Sequence, residues 1–80
     1  MAYMIEIKGH IITAIKTVET EQQVRDEIRK AYDKFSAGSE LFYNGASVRI
    51  EENEESSEVA RSYGFYAGDD WLCDLNVRFA

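Results

Sequence analysis

The sequence predicts an α+β domain: a four- or five-stranded antiparallel sheet with one amphipathic helix packed on one face, in the order ββαβββ. Three observations lead to this prediction. Several segments alternate apolar and polar residues with a period of two, as half-buried strands do. One segment repeats its apolar residues at helical spacing. The 80 residues form a single domain, 1–80, because a chain of this length has no room for a second core.

Two strands are predicted before the helix. In the first, residues 3–8, the apolar side chains Tyr3, Ile5 and Ile7 occupy alternate positions, which favours a strand with one buried face. The second covers residues 11–18 and is rich in β-branched side chains, although its alternation is weaker. Whether it is separate from the first strand stays open.

The helix is predicted over residues 21–36. Thr20 and Gln23 match a capping box, in which the Thr20 hydroxyl accepts from the Gln23 backbone N–H and the Gln23 side chain reaches back. Gly38 is placed for a left-handed cap that ends the helix. The apolar stripe between these signals consists of Val24, Ile28, Ala31 and Phe35.

Three strands are predicted after the helix. Asn44-Gly45 is typical of a tight turn and precedes a strand over residues 46–51. A fourth strand covers residues 59–66, and a fifth begins after the turn that includes Gly68. Alternation in the fifth strand predicts Trp71, Cys73, Leu75, Val77 and Phe79 inward, with Leu72, Asp74, Asn76 and Arg78 outward.

The net charge of −6 belongs entirely to the second half of the chain. Residues 1–38 carry six basic and six acidic groups, whereas residues 39–80 carry three basic and nine acidic groups. Direct nucleic-acid binding is disfavoured, because binders of phosphate backbones need a basic footprint. The natural counterpart is a protein partner with a basic surface.

Two acidic segments of the second half are candidate contact surfaces. Residues 51–58 form either a solvated loop that discourages edge aggregation or an electrostatic contact, and both interpretations stay open. Gly68 to Trp71 predicts a hairpin tip with two acids, which is also ordinary turn chemistry. Tyrosines near such acids make good interface anchors. The predicted partner-binding residues are Glu51, Glu52, Glu54, Glu55, Glu58, Asp69, Asp70, Tyr43 and Tyr66.

No arrangement of residues in the sequence indicates catalysis, a cofactor or a metal. His10 has no nucleophile or carboxylate spaced to work with it, so we interpret it as a solvent-facing or turn-capping residue. Cys73 is predicted to be an inert core thiol. The acidic run lacks the ordered oxygen spacing and the glycine of a calcium loop. The sequence therefore predicts a non-enzymatic protein with no cofactor and no metal.

The N-terminal residues predict a cytoplasmic protein that does not associate with membranes. Glu6 interrupts the apolar run that a signal peptide would need, and no segment approaches the roughly 18 apolar residues of a membrane span. A single cysteine also fits a reducing compartment. Since the core is small and has no disulfide, a homodimer is an available source of extra stability.

The element order and several local sequences resemble small phage-encoded anti-CRISPR proteins with a five-stranded antiparallel sheet and one helix. The resemblance rests on the strand pair, the capped helix from Thr20 to Ser36, the Gly-Ala-Ser-Val-Arg-Ile strand at 45–50 and the closing hairpin with Asp69-Asp70-Trp71-Leu72-Cys73-Asp74. It implies a protein that docks on a CRISPR effector complex and blocks binding of target DNA. Some members of this class place carboxylates against the basic surfaces that hold guide RNA or DNA.

Two functions are therefore expected from the sequence. The first is an inhibitor whose acidic second half binds a basic, nucleic-acid-binding surface of another protein. The alternative is a small structural or accessory protein that forms a homodimer through an exposed sheet edge.

Overall fold

The predicted order ββαβββ is confirmed by the computed structural model, which describes residues 2–9, 13–42, 45–54 and 60–80, with residues 39–42 described in backbone only. The six elements form one open sheet of five antiparallel strands and one helix packed against it. The elements are β1 (Tyr3–Gly9), β2 (Thr13–Val18), α1 (Glu21–Phe42), β3 (Val48–Glu52), β4 (Ala60–Ala67) and β5 (Asp70–Phe79).

The strands lie in the order β2-β1-β5-β4-β3 across the sheet, so β2 and β3 are its edges. β2 is a separate strand that pairs antiparallel with β1, with Ile5 opposite Lys16. On its other side β1 pairs with β5, where Ile5 lies opposite Val77. The last strand of the chain thus occupies the centre of the sheet, and the predicted second strand is one of its borders.

The core lies between α1 and one face of the sheet. Ile5, Phe65 and Leu75 come from the three central strands and are almost completely buried, as is Val24 on the helix. Phe35 of α1 packs on Phe65 with 5.7 Å between ring centroids. Full burial of each such side chain stabilises the fold by about 1.5–3 kcal/mol, so the alternation of β1, β4 and β5 decides which face the helix covers.

The helix begins as predicted but ends later. The Thr20 hydroxyl accepts from the Gln23 N–H at 3.1 Å, and the Gln23 side-chain oxygen accepts from the Thr20 N–H at 3.1 Å. α1 then continues through Gly38 to Phe42, so the predicted end at residue 36 is wrong. A glycine inside a helix costs only about 1 kcal/mol relative to alanine, and no proline follows to stop the helix. The first glycine after the helix, Gly45, has the left-handed conformation instead, with φ of 73°.

A β-bulge in β5 changes which of its side chains face the core. Phe65 pairs with Cys73, but the next residue, Tyr66, pairs with Trp71, so Leu72 is an extra residue in β5. An extra residue shifts the alternation by one position. The prediction for two residues is therefore wrong: Leu72 is buried, and Trp71 is only partly buried.

The end of β5 also differs from strict alternation in its burial. Cys73, Leu75 and Val77 are buried, as predicted. Phe79 lies in the same row but remains 39% exposed, because it sits at the end of the strand. Its ring contacts Tyr3 at a centroid distance of 5.2 Å.

Candidate functional site

The side of the sheet opposite α1, called here the open face, carries most of the polar side chains of the strands. A groove of about 720 Å³ crosses β4 and β5 on this face. Its lining includes Ser62, Tyr66, Trp71, Asp74 and Asn76, together with Asn53 and Glu54 from the turn after β3. The groove is the candidate site because it brings predicted contact residues next to aromatic rings.

Tyr66 forms one wall of the groove and lies flat against the sheet. Its ring covers Gly64, where an added Cβ would come within 2.8 Å of the Tyr66 Cε2 atom. The Arg49 guanidinium stacks on the ring at 4.7 Å from its centroid, a favourable cation–π contact. Arg49 also donates to the Gly68 carbonyl oxygen. Glycine at position 64 is thus required for this placement of the ring.

Trp71 reaches the open face because of the bulge at Leu72. Its indole Nε1 donates to the Asp74 Oδ1 at 3.0 Å. The ring and the carboxylate are thereby oriented relative to each other inside the groove. Sequence alternation placed Trp71 in the core, and only the pairing of β5 with β4 reveals its position here.

A row of hydrogen bonds fixes the polar floor of the groove. Asn53 Nδ2 donates to Ser62 Oγ at 2.7 Å, and Ser62 Oγ donates to Asn76 Oδ1 at 2.7 Å. Asn76 Nδ2 in turn donates to Glu6 Oε1 at 3.3 Å. These bonds connect the turn after β3 with β4, β5 and β1. No local sequence pattern predicts this network, since its members are far apart along the chain.

Three of the predicted acidic residues, Glu51, Glu52 and Glu54, lie together at the end of β3 and are called here the β3-end acids. All three are exposed. Glu51 faces the open side, 3.3 Å from the Arg49 Nε, whereas Glu52 pairs with Tyr63 on the other side of the sheet. Glu54 borders the groove.

Two other predicted acids, Asp69 and Asp70, lie in the turn between β4 and β5 and are called here the turn acids. Both are exposed, and Gly68 with φ of 61° forms the bend. Asp70 lies opposite Ala67, whereas Glu52 lies opposite Tyr63, four residues earlier in β4. At about 3.3 Å per residue, this separates Glu52 from the turn by roughly 13 Å along the strand. Glu51 lies nearer to the turn, because Arg49 donates both to its carboxylate and to the Gly68 carbonyl oxygen.

Four predicted contact residues remain, and the structure describes one of them. Tyr66 lies in the groove. Tyr43, Glu55 and Glu58 fall outside the described residues. Among the described residues, Glu52, Glu54 and the turn acids form no salt bridge.

Two carboxylates of the helix, Glu21 and Glu27, are by contrast paired with basic side chains of the sheet. Arg61 of β4 donates to both oxygens of Glu21, at 2.7 and 3.0 Å, and this hydrogen bonding lowers the pKa of the Glu21 carboxyl. Lys16 of β2 lies 2.7 Å from Glu27, whose carboxyl pKa is lowered chiefly by that hydrogen bond. Ion pairs with Arg61 and Lys16 thus attach α1 to the sheet.

The described residues include one cysteine, which is buried, and no metal-binding cluster. Cys73 is 1% exposed, and burial raises the pKa of its thiol to about 11. No three His, Cys, Asp or Glu side chains lie close enough to hold a metal ion in the part of the chain that the structure describes. His10 falls outside that part.

The site therefore presents carboxylates, amides and aromatic rings, together with Arg61 and Arg78. Over the described residues, α1 is not apolar enough to cross a membrane. Comparisons of the chain with protein-family models, with curated proteins and with solved structures found no match in any of the three.

Proposed function

We propose that this protein is a non-enzymatic inhibitor that binds a protein partner through its acidic side at β3 and the groove beside it. The observation that carries the proposal is the contrast between two sets of carboxylates. Glu21 and Glu27 are engaged by basic side chains of the sheet, whereas Glu52 and Glu54 are exposed and form no salt bridge among the described residues. Exposed carboxylates of this kind attract and orient a basic partner.

The groove supports the same partner chemistry. Glu54, Asp74, Tyr66 and Trp71 line it, so carboxylates and aromatic rings lie side by side. Arg61 and Arg78 also line the groove, and Arg61 is paired with Glu21 of the helix. Lysine and arginine side chains bind to both, through charge-assisted hydrogen bonds and cation–π contacts. A partner that inserts one basic side chain here gains a specific contact in addition to long-range attraction.

The partner that we propose is a CRISPR effector complex, in the host cytoplasm. Such a complex holds guide RNA and target DNA in positively charged channels. A small acidic protein that occupies such a channel blocks nucleic-acid binding without any catalytic step. The proposal needs neither a cofactor nor a metal.

The direct test is binding to a panel of purified, guide-loaded CRISPR effector complexes, measured by biolayer interferometry. We expect one complex to bind, and its affinity to fall as salt is raised because exposed charges are screened. Target DNA and the protein should compete for the complex. If no complex in the panel binds, the CRISPR partner is rejected.

A charge variant tests whether the acidic side at β3 makes the contact. Glu52→Lys with Glu54→Lys should weaken binding by roughly 10- to 100-fold, since each lost rim or buried charge contact costs about 1 kcal/mol or more. The matched control is Asp26→Lys with Asp33→Lys, which changes the net charge equally on the exposed helix surface. Equal losses from both pairs would show that net charge alone is responsible and would reject the proposed surface.

A further inference from the structure

We propose that the β2 edge pairs with β2 of a second copy of the chain, forming a twofold dimer with one continuous sheet. This inference goes beyond the proposed inhibitor function and does not depend on it. It follows from a difference between the two edges of the sheet. An edge strand presents unpaired backbone groups, so proteins protect such edges with charges, bulges or covering segments.

The β2 edge is long, exposed and apolar at its centre. Five of the six residues of β2 are exposed. Ile15, in the middle of the strand, is 65% exposed. Its neighbours on the same face are Thr13 and Thr17, which are β-branched residues that favour strands. The composition of this edge suits pairing with another strand.

The charged residue that would normally protect this edge, Lys16, is paired with a carboxylate of the helix. Lys16 is the one charged residue of β2, and lysine on an edge strand usually opposes further pairing. Here the Lys16 Nζ lies 2.7 Å from Glu27 of α1, on the helix side of the sheet. The Lys16 side chain is still 56% exposed, but the salt bridge directs it towards α1 rather than towards an approaching strand.

The other edge is unsuitable for self-association. β3 carries Glu51 and Glu52 in adjacent positions and is followed by Glu54. Pairing β3 with its own copy about Ile50 would place Glu51 opposite Arg49 of the copy, but Arg49 is already held within its own chain by Glu51, the Gly68 carbonyl and the Tyr66 ring. Pairing centred on Glu51 or Glu52 would oppose like charges, which is destabilising. Residues 1–38, which include β2, carry no net charge, so two copies do not repel one another at that edge.

The register of the proposed pairing follows from symmetry. In a twofold antiparallel pair the same surface meets itself, so the central residue lies opposite its own copy. Pairing centred on Ile15 places isoleucine against isoleucine and Thr13 against Thr17 of the partner copy, which are favourable cross-strand pairs. Pairing centred on Lys16 would oppose two lysines and is disfavoured.

The dimer should be weak and reversible. Stable protein interfaces bury roughly 1,200–2,000 Å² in total, and one six-residue strand pair buries less. We therefore expect a dimer that forms at high protein concentration and dissociates on dilution.

Sedimentation velocity of the full chain tests the proposal, over a range from roughly 10 µM to 1 mM. The wild-type chain should shift from monomer to dimer across this range. Ile15→Lys should remain monomeric at every concentration. The matched control Tyr32→Lys, at a helix position that is 37% exposed, should dimerise like the wild type. A monomeric wild type, or a dimer that persists in Ile15→Lys, would overturn the proposal.

Hydrogen exchange of the wild-type chain gives a second test that does not depend on the folding of a variant. Amides of β2 should become more protected as the protein concentration rises, whereas amides of β3 should not change. Protection that rises at β3, or at neither edge, would contradict the pairing. Ile15→Lys should also keep the affinity for a basic partner, so that failure of the dimer and failure of the proposed function are separate outcomes.

Discussion

Arg61 and Glu21 are forty residues apart in the sequence and form the two-pronged ion pair between β4 and the start of α1. The pair holds the first turn of the helix on the sheet. Hydrogen bonding by Arg61 lowers the pKa of the Glu21 carboxyl below its usual value of 4.5. A carboxyl whose pKa is lower in the folded state stabilises the fold above its unfolded pKa and loses that contribution as the pH falls through the folded pKa.

We predict that Glu21→Gln lowers the free energy of unfolding by about 0.5–1 kcal/mol at pH 7. The figure is small because the Glu21 side chain is 37% exposed and water screens the pair. The difference from wild type should shrink at a pH below the lowered pKa of the Glu21 carboxyl, where the wild-type side chain is also protonated. Urea denaturation at both pH values measures it, with Asp33→Asn as the exposed control. A loss of equal size at both pH values would mean that charge has no part in the contact.

Gly64 and Tyr66 form a second contact between two residues, in which the Tyr66 ring covers the glycine. Gly64→Ala places a Cβ against the Tyr66 ring, which must swing away from the sheet and from Arg49. We expect a loss of about 1 kcal/mol in the free energy of unfolding. The loss should be much smaller when the same change is made in Tyr66→Ala, because the obstructing ring is gone. A double-mutant cycle in urea measures this coupling; additive effects would contradict the ring placement.

At the scale of elements, the end of α1 distinguishes the sequence prediction from the structure. A left-handed cap at Gly38 would make Gly38→Ala destabilising, since alanine tolerates positive φ poorly. The structure places Gly38 inside α1, where an added Cβ meets nothing within 4 Å.

We therefore predict that Gly38→Ala stabilises the protein by about 0.5–1 kcal/mol. Gly45→Ala serves as the matched control, because Gly45 has φ of 73° and the same change should destabilise there. Thermal unfolding followed by circular dichroism measures both. If Gly38→Ala is destabilised instead, the helix ends before Gly38, as the sequence predicts.

At the scale of the whole molecule, the separation of the acidic groups decides where a partner can bind. Glu52 lies four residues along β4 from the turn acids, roughly 13 Å at strand spacing, whereas Arg49 connects Glu51 with the Gly68 carbonyl. Of the two groups, only the β3-end acids include a residue of the groove, Glu54. A basic side chain that enters the groove therefore contacts Glu54, whereas the turn acids do not border the groove.

We predict that Asp69→Lys with Asp70→Lys weakens partner binding less than Glu52→Lys with Glu54→Lys, although both pairs change the net charge equally. The reason is that the groove beside Glu54 adds aromatic and amide contacts to the charge. Interferometry at two salt concentrations compares the pairs, because a purely long-range contribution disappears at high salt. A larger loss of affinity from the Asp69 and Asp70 changes would show that the partner contacts the turn acids instead.

The local predictions agree with the structure because local interactions decide them. The capping box at Thr20 needs only residues 20–23, and the alternation of residues 3–8 needs only one strand. The prediction that Gly38 ends the helix is wrong. Glycine often follows a helix end, but the sequence around Gly38 contains nothing that stops the helix. The predicted inward position of Trp71 and outward position of Leu72 are wrong because a bulge shifts the alternation. A bulge is a property of two paired strands, so one strand's sequence does not reveal it.

By itself, the sequence determined the order of the elements, the start of the helix, most of the core face and the concentration of negative charge in residues 39–80. Each of these follows from periodicity, from a short hydrogen-bonding pattern or from counting charges. The tertiary structure decided that β1 lies beside β5, that Trp71 joins Asp74 on the open face and that Glu54 borders the groove whereas the turn acids do not. These depend on contacts between residues distant along the chain, which pairing register and packing select and which no local pattern encodes.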